Sequence, residues 1–174
     1  MTRKIGFAGG GSICELGPAS DVVLFFDCLK GNAEYDYPEQ DWSLLTDRLY
    51  RRYLKLDELD RAATLMEQVR QIFAQVPAKT GIQWNSEMLL DREKTWLNPN
   101  QPTLADVFGK YFEHFAYCVE SAQVNYEAFK SYPGYTYEPV RVVISDLPEF
   151  MLDKNRPLAE YDALEGKPFW LQPA

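Results

Sequence analysis

Between Thr103 and Pro133 the chain carries Leu104, Phe108, Tyr111, Phe115, Val119, Ala122, Tyr126 and Phe129, almost all at spacings of three or four. Residues so spaced lie on one side of an α-helix, so the pattern predicts a long helix with one apolar stripe. Thr103 suits its N-cap, and Pro133-Gly134 stops it. At 1.5 Å per residue such a helix would be about 40 Å long, enough to cross a whole domain. Its stripe requires a second layer to cover it.

The rest of the chain supplies candidates for that layer. Lys4 to Ala8 and Ser12 to Leu16 flank Gly9-Gly10-Gly11, which predicts a β-hairpin, because glycine enters positive φ freely. Gly17-Pro18-Ala19-Ser20 then leads into Val22, Val23, Leu24, Phe25, Phe26 and Leu29, a central helix closed at Gly31-Asn32. Residues 32–40 read as a polar loop. Trp42, Leu45, Leu49, Tyr53 and Leu56 predict one helix, and Leu59, Ala62, Ala63, Met66, Val69, Phe73 and Val76 a second. The two are fused or kinked near Leu56, with Asp57 as a cap and Pro77 as the end.

Residues 78–102 keep no sustained period and predict short strands or an ordered crossover, in which Trp84, Leu89, Leu90, Trp96 and Leu97 can bury area. Val140 to Ile144 is a β-branched run and reads as a strand. Strands at both ends with helices between them predict an α+β fold. The expected form is a single domain over 1–174, with a small antiparallel or mixed sheet built from the N-terminal hairpin and C-terminal strands. About four helices pack with it and cover it mainly on one side.

Composition narrows the function classes. Of 174 residues, 46% are hydrophobic and 14% aromatic, ample for a core and contrary to disorder. A net charge of −8 and a pI near 4.7 oppose direct binding to a phosphate backbone and favour a basic partner. The longest apolar run, Val22 to Phe26, is too short to span a bilayer, and the N-terminus has no secretory h-region, so a cytoplasmic location is expected. Cys14, Cys28 and Cys118 are odd in number and widely spaced, which reads as buried free thiols.

Chemistry-bearing patterns are sparse. The single histidine, His114, lies at the edge of the long stripe and reads as a packed or surface residue. The cysteines form no CxxC and no zinc-ligand spacing with it. Gly6, Gly9, Gly10 and Gly11 fit neither GxGxxG nor GxxxxGK[ST], so they read as turn residues. Asp57, Glu58 and Asp60 cluster near a helix start, where capping and solvated charge are the ordinary reading. No cofactor or metal is implied.

Charge placement says more. Residues 32–60 hold eight acidic against four basic side chains, and 134–174 hold seven against four, the latter including Asp146, Glu149 and Asp153. In the first focus Glu34, Tyr35, Asp36, Tyr37, Glu39, Asp41 and Trp42 interleave carboxylates with aromatics, which gives an interface both steering charge and desolvated anchors. A solubilising loop with tyrosines packed beneath it has the same sequence pattern. The predicted binding set is Glu34, Asp36, Tyr37, Glu39, Asp41 and Trp42.

Lys4-Ile5-Gly6-Phe7, then Gly11-Ser12-Ile13-Cys14-Glu15-Leu16-Gly17 and Leu24-Phe25-Phe26, resembles the opening of bacterial immunity proteins from polymorphic toxin and contact-dependent growth inhibition systems. The resemblance covers about 30 residues. It implies a non-enzymatic inhibitor of a cognate toxin domain, often a nuclease, whose active site or adjacent exosite it shields. Gly11, Glu15 and Gly17 match the motif and are expected to be structural, Gly17 enabling a turn and Glu15 satisfying backbone groups at it. The acidity agrees, since carboxylates can occupy a basic cleft built for phosphates. The alternatives are a small enzyme with a site assembled from Glu15, Asp21, His114 and tyrosines, and an acidic regulatory or scaffold protein.

Overall fold

The computed structural model describes residues 3–85, 87, 91, 93–146, 153 and 155–172. The hairpin forms as its glycines require. Strand β1, Lys4–Gly9, pairs antiparallel with β2, Ser12–Pro18. Gly10 and Gly11 make the turn at φ 56° and 85°, values that suit a two-residue connection following the strand twist. Gly9 belongs to β1 instead of the turn. Strand β3, Arg141–Ile144, pairs antiparallel with the other edge of β1, placing Phe7 opposite Val142 and Ile5 opposite Ile144. The sheet order is β2-β1-β3, so the first strand is central.

The fold is α+β with an antiparallel sheet. Helix α1, Ala19–Leu29, continues through a wider turn over Lys30–Glu34, so Gly31-Asn32 does not end it; the Asn32 amide instead donates to the Cys28 carbonyl at 2.8 Å. A second wide helical segment spans Leu44–Leu49. It does not reach Leu56, because Leu54 leaves the helix to donate its backbone N–H to Val140 at 2.8 Å in an isolated bridge beside β3. Helix α2, Leu59–Phe73, follows a short 3-10 turn, Leu56–Glu58. The cap is made by Glu58, whose carboxylate accepts the Lys55 N–H at 2.8 Å, and not by Asp57.

Beyond Pro77 a short helix α3, Ala78–Gly81, precedes an irregular crossover in which Leu97 is buried and Trp84 and Trp96 are half-buried. Leu89 and Leu90 lie outside the described residues. Thr103 caps as expected: its hydroxyl accepts the Asp106 N–H and donates to the Asp106 carboxylate at 2.8 Å. The predicted long helix is divided, however. Helix α4, Leu104–Val107, ends where Phe108 adopts φ −101° and ψ 20°, and α5 runs from Gly109 to Phe129, roughly 32 Å at the ordinary rise.

The stripe is buried from Leu104 through Ala122, then emerges, with Tyr126 half-buried and Phe129 46% exposed. Phe25, Phe73, Phe108, Tyr111 and Phe112 form the aromatic centre of the core, where Phe25 meets each of the other four rings at 4.7–5.9 Å. Phe7 joins the sheet to α5 through edge contacts with Tyr111 and Phe115.

Helix α5 packs on one face of the sheet, and a C-terminal clasp adds partial cover on the other, where all four residues of β3 are buried. In it Asp153 accepts the Ile144 N–H at 2.7 Å and pairs with Arg156, while the Arg141 guanidinium lies 5.3 Å from the Tyr161 ring at the start of the chain's last turns. The clasp includes helix α6, Leu158–Asp162. Among the described residues, no helix is long and apolar enough to cross a membrane.

Candidate functional site

The acidic loop is held from beneath. Trp42 is 3% exposed, and its indole N–H donates to the Tyr37 carbonyl at 3.0 Å. The Tyr37 N–H donates to Ala33 at 2.8 Å, and the Gln40 N–H to Tyr37 at 3.2 Å. A large buried ring with a chain of short-range hydrogen bonds leaves the loop little freedom. Trp42 therefore belongs to the core, and its expected role as a surface anchor is corrected.

Above that ring the remaining predicted residues come to the surface. Glu34, Asp36, Glu39 and Asp41 are exposed, Tyr37 is 46% exposed, and Tyr35, outside the predicted set, is 80% exposed. The carboxylates divide into two kinds. Asp41 accepts the Ser43 N–H at 2.9 Å as the chain enters the Leu44–Leu49 segment, and hydrogen bonds from Ser43 hold its carboxyl below the usual range. Glu34, Asp36 and Glu39 have no side-chain hydrogen bond or ion pair among the described residues. Elsewhere in the same stretch Asp47 pairs with Arg51 at 2.7 Å, Glu58 with Arg48 at 3.7 Å, and Asp60 accepts from Gln123 at 2.8 Å.

A groove of about 370 Å³ runs beside the loop, between Tyr37, Glu39 and Trp42 on one side and Gln68, Gln71 and Ile72 of α2 on the other. Sequence reasoning missed the glutamines, although Gln68, Gln71 and Gln75 recur at three and four on the side of α2 away from its buried stripe. Amide groups at that spacing offer donors and acceptors to whatever enters the groove.

The second acidic focus is different. Asp146 accepts the Lys4 N–H at 2.6 Å, and Asp153 is 1% exposed within the clasp; Glu149 lies outside the described residues. Asp146 and Asp153 are therefore internal connectors. A larger cavity, about 530 Å³, opens over the second face of the sheet between Ile13, Tyr135, Tyr137, Arg141 and Leu158. Arg156 borders it, but bonds Asp153 and Glu160 at 3.3 and 3.0 Å and stacks 3.8 Å from the Phe169 ring.

Two of the residues considered for a small enzyme, Asp21 and Glu15, have structural partners. Asp21 accepts the Thr95 hydroxyl at 2.7 Å and the Trp96 N–H at 2.8 Å, fixing the crossover to α1. Glu15 accepts the Ser145 hydroxyl at 3.0 Å, a cross-sheet link in place of the turn-backbone role the motif implied. Gly17, at φ 131°, has Trp96 and Asp21 so close that a Cβ would meet them at 3.1 and 3.2 Å, so it carries the turn into α1. Among the described residues no three His, Cys, Asp or Glu side chains gather as a metal site. Comparison with protein-family models, curated proteins and solved structures yields no match.

Proposed function

We propose that the protein is a cytoplasmic immunity protein that binds a basic toxin domain, possessing no catalytic activity of its own, and that the 34–41 loop is its contact surface. The observation that carries this reading is the trio Glu34, Asp36 and Glu39, exposed and without side-chain partners among the described residues, on a loop pinned by Trp42. Carboxylates that contribute nothing to the fold remain available to steer a cationic partner, and the fixed loop lowers the ordering cost of binding. Tyr35 and Tyr37 add rings of the kind that dominate interface energetics. The opening-motif resemblance and the net charge of −8 point the same way. A nuclease is the favoured class of toxin, because its cleft is shaped for phosphates.

The test is a titration of the wild type and Glu34→Lys/Asp36→Lys/Glu39→Lys against the cognate toxin domain at two ionic strengths. Asp41 is left intact because it supports a helix entry. The reversal should slow association at least tenfold at low salt and flatten the salt dependence, with an unchanged melting temperature. Equal affinities at both salts would remove the loop as the contact surface.

A further inference from the structure

The Cys14 and Cys118 sulfurs lie 4.0 Å apart across the seam between β2 and α5, although 104 positions separate them in sequence. The seam is fixed on either side. One turn along, Ser12 and Ser121 hydroxyls meet at 2.8 Å, and Ser121 and Asn125 both donate to the Gly10 carbonyl. The Cys118 thiol also donates to the Phe7 carbonyl at 3.5 Å, which keeps it directed at the sheet. A disulfide needs the sulfurs at about 2 Å, so closure brings them roughly 2 Å nearer. Cys14 is half-buried on an edge strand and Cys118 is buried, so a small oxidant reaches Cys14 first.

We infer that Cys14 and Cys118 form an oxidative modification site at which hydrogen peroxide installs a disulfide joining the hairpin to α5. The Cys14 thiolate attacks one peroxide oxygen, the O–O bond breaks, hydroxide leaves, and the sulfur is oxidised to a sulfenic acid. The Cys118 sulfur then attacks Cys14 Sγ; the S–S bond forms, the S–O bond breaks, and the oxygen leaves as water with the Cys118 proton. Two thiols and one peroxide become one disulfide and two waters. Burial pushes the Cys118 thiol well above its ordinary value, so the first attack on peroxide falls to Cys14, and Cys118 takes part in the second step through its 4.0 Å approach to the Cys14 sulfur. Cys28 has no such neighbour among the described residues: its thiol faces the Gly81 carbonyl, and burial pushes it up to about 12. The inference stands independently of the toxin-binding reading.

The full chain, reduced and then exposed to hydrogen peroxide, should lose the mass of two hydrogen atoms and retain one alkylatable thiol, Cys28. Peptide mapping should join Cys14 to Cys118, and the melting temperature should rise by roughly 5–15 °C. Cys28→Ser should behave like the wild type, whereas Cys14→Ser and Cys118→Ser should each abolish the mass loss. Oxygen addition at Cys14 without cross-linking, a cross-link involving Cys28, a dimer joined through Cys14, or three thiols still alkylatable after peroxide would each overturn the site. Because Cys28→Ser keeps both partners, misfolding of the other variants does not obscure the result.

Discussion

His114 sits on α5 with its Nδ1 buried and without a hydrogen-bond partner among the described residues. Burial, aided by the Lys110 charge, holds its pKa below the ordinary 6.5, while the Glu15 backbone and the Glu113 carboxylate pull weakly the other way. A lowered histidine pKa means that the unfolded chain binds the proton first. Stability is therefore complete above the ordinary value and falls as pH drops below it towards the folded value. Melting temperatures of the wild type should decline between about pH 7.5 and about pH 5.5, and His114→Gln should flatten that decline. Parallel curves for the two proteins would assign the slope to other groups. The histidine's place at the stripe edge was readable from spacing alone. Asp21 was not: its partners Thr95 and Trp96 are 74 and 75 positions away, and no local pattern marks a carboxylate that will be buried by a distant crossover.

At the scale of elements, α5 supports the most. Phe115 is 1% exposed and meets the Phe7 ring at 5.7 Å, so it couples helix to sheet. Phe115→Ala should cost about 3–5 kcal/mol, read as a lower denaturant midpoint with an unchanged slope; an unmoved midpoint would place the ring outside the core. Periodicity located α2 and the stripe that starts at Thr103, while glycines marked the hairpin, and apolar or β-branched runs marked α1 and β3. It failed where two patterns compete for one segment. The helical spacing from Trp42 runs on through Tyr53 to Leu56, yet between them the Leu54 backbone is taken by Val140, and the Tyr137 hydroxyl donates to the Leu54 carbonyl at 3.0 Å. Trp42 shows the same limit at the candidate site. Its place among carboxylates suggested a surface anchor, but the apolar area of an indole is better buried, and the loop folds over it.

Across the whole molecule the sheet order governs what can form alone. β1 is central, and its second partner is separated from it by nearly the entire helical region, since Ile5 pairs with Ile144. One connected cluster of buried side chains extends from Ile5 to Trp170, so the chain's last turn shares the core with the hairpin. A chain ending at Pro139 would lose β3 and the clasp together. It should lack a cooperative unfolding transition in denaturant, whereas a sharp transition near the full-length midpoint would show that the hairpin and helices fold without the third strand.

The central position of β1 also sets a timetable. A ribosome adding about 5–20 residues per second needs roughly 7–28 seconds between making Ile5 and making Ile144, and one edge of the first strand has no partner for that interval. Strands joined over such separations form slowly even once complete. If the protein guards a cell against a toxin, molecules still on the ribosome offer no protection during that interval, and defence against a sudden dose rests on the pool already folded.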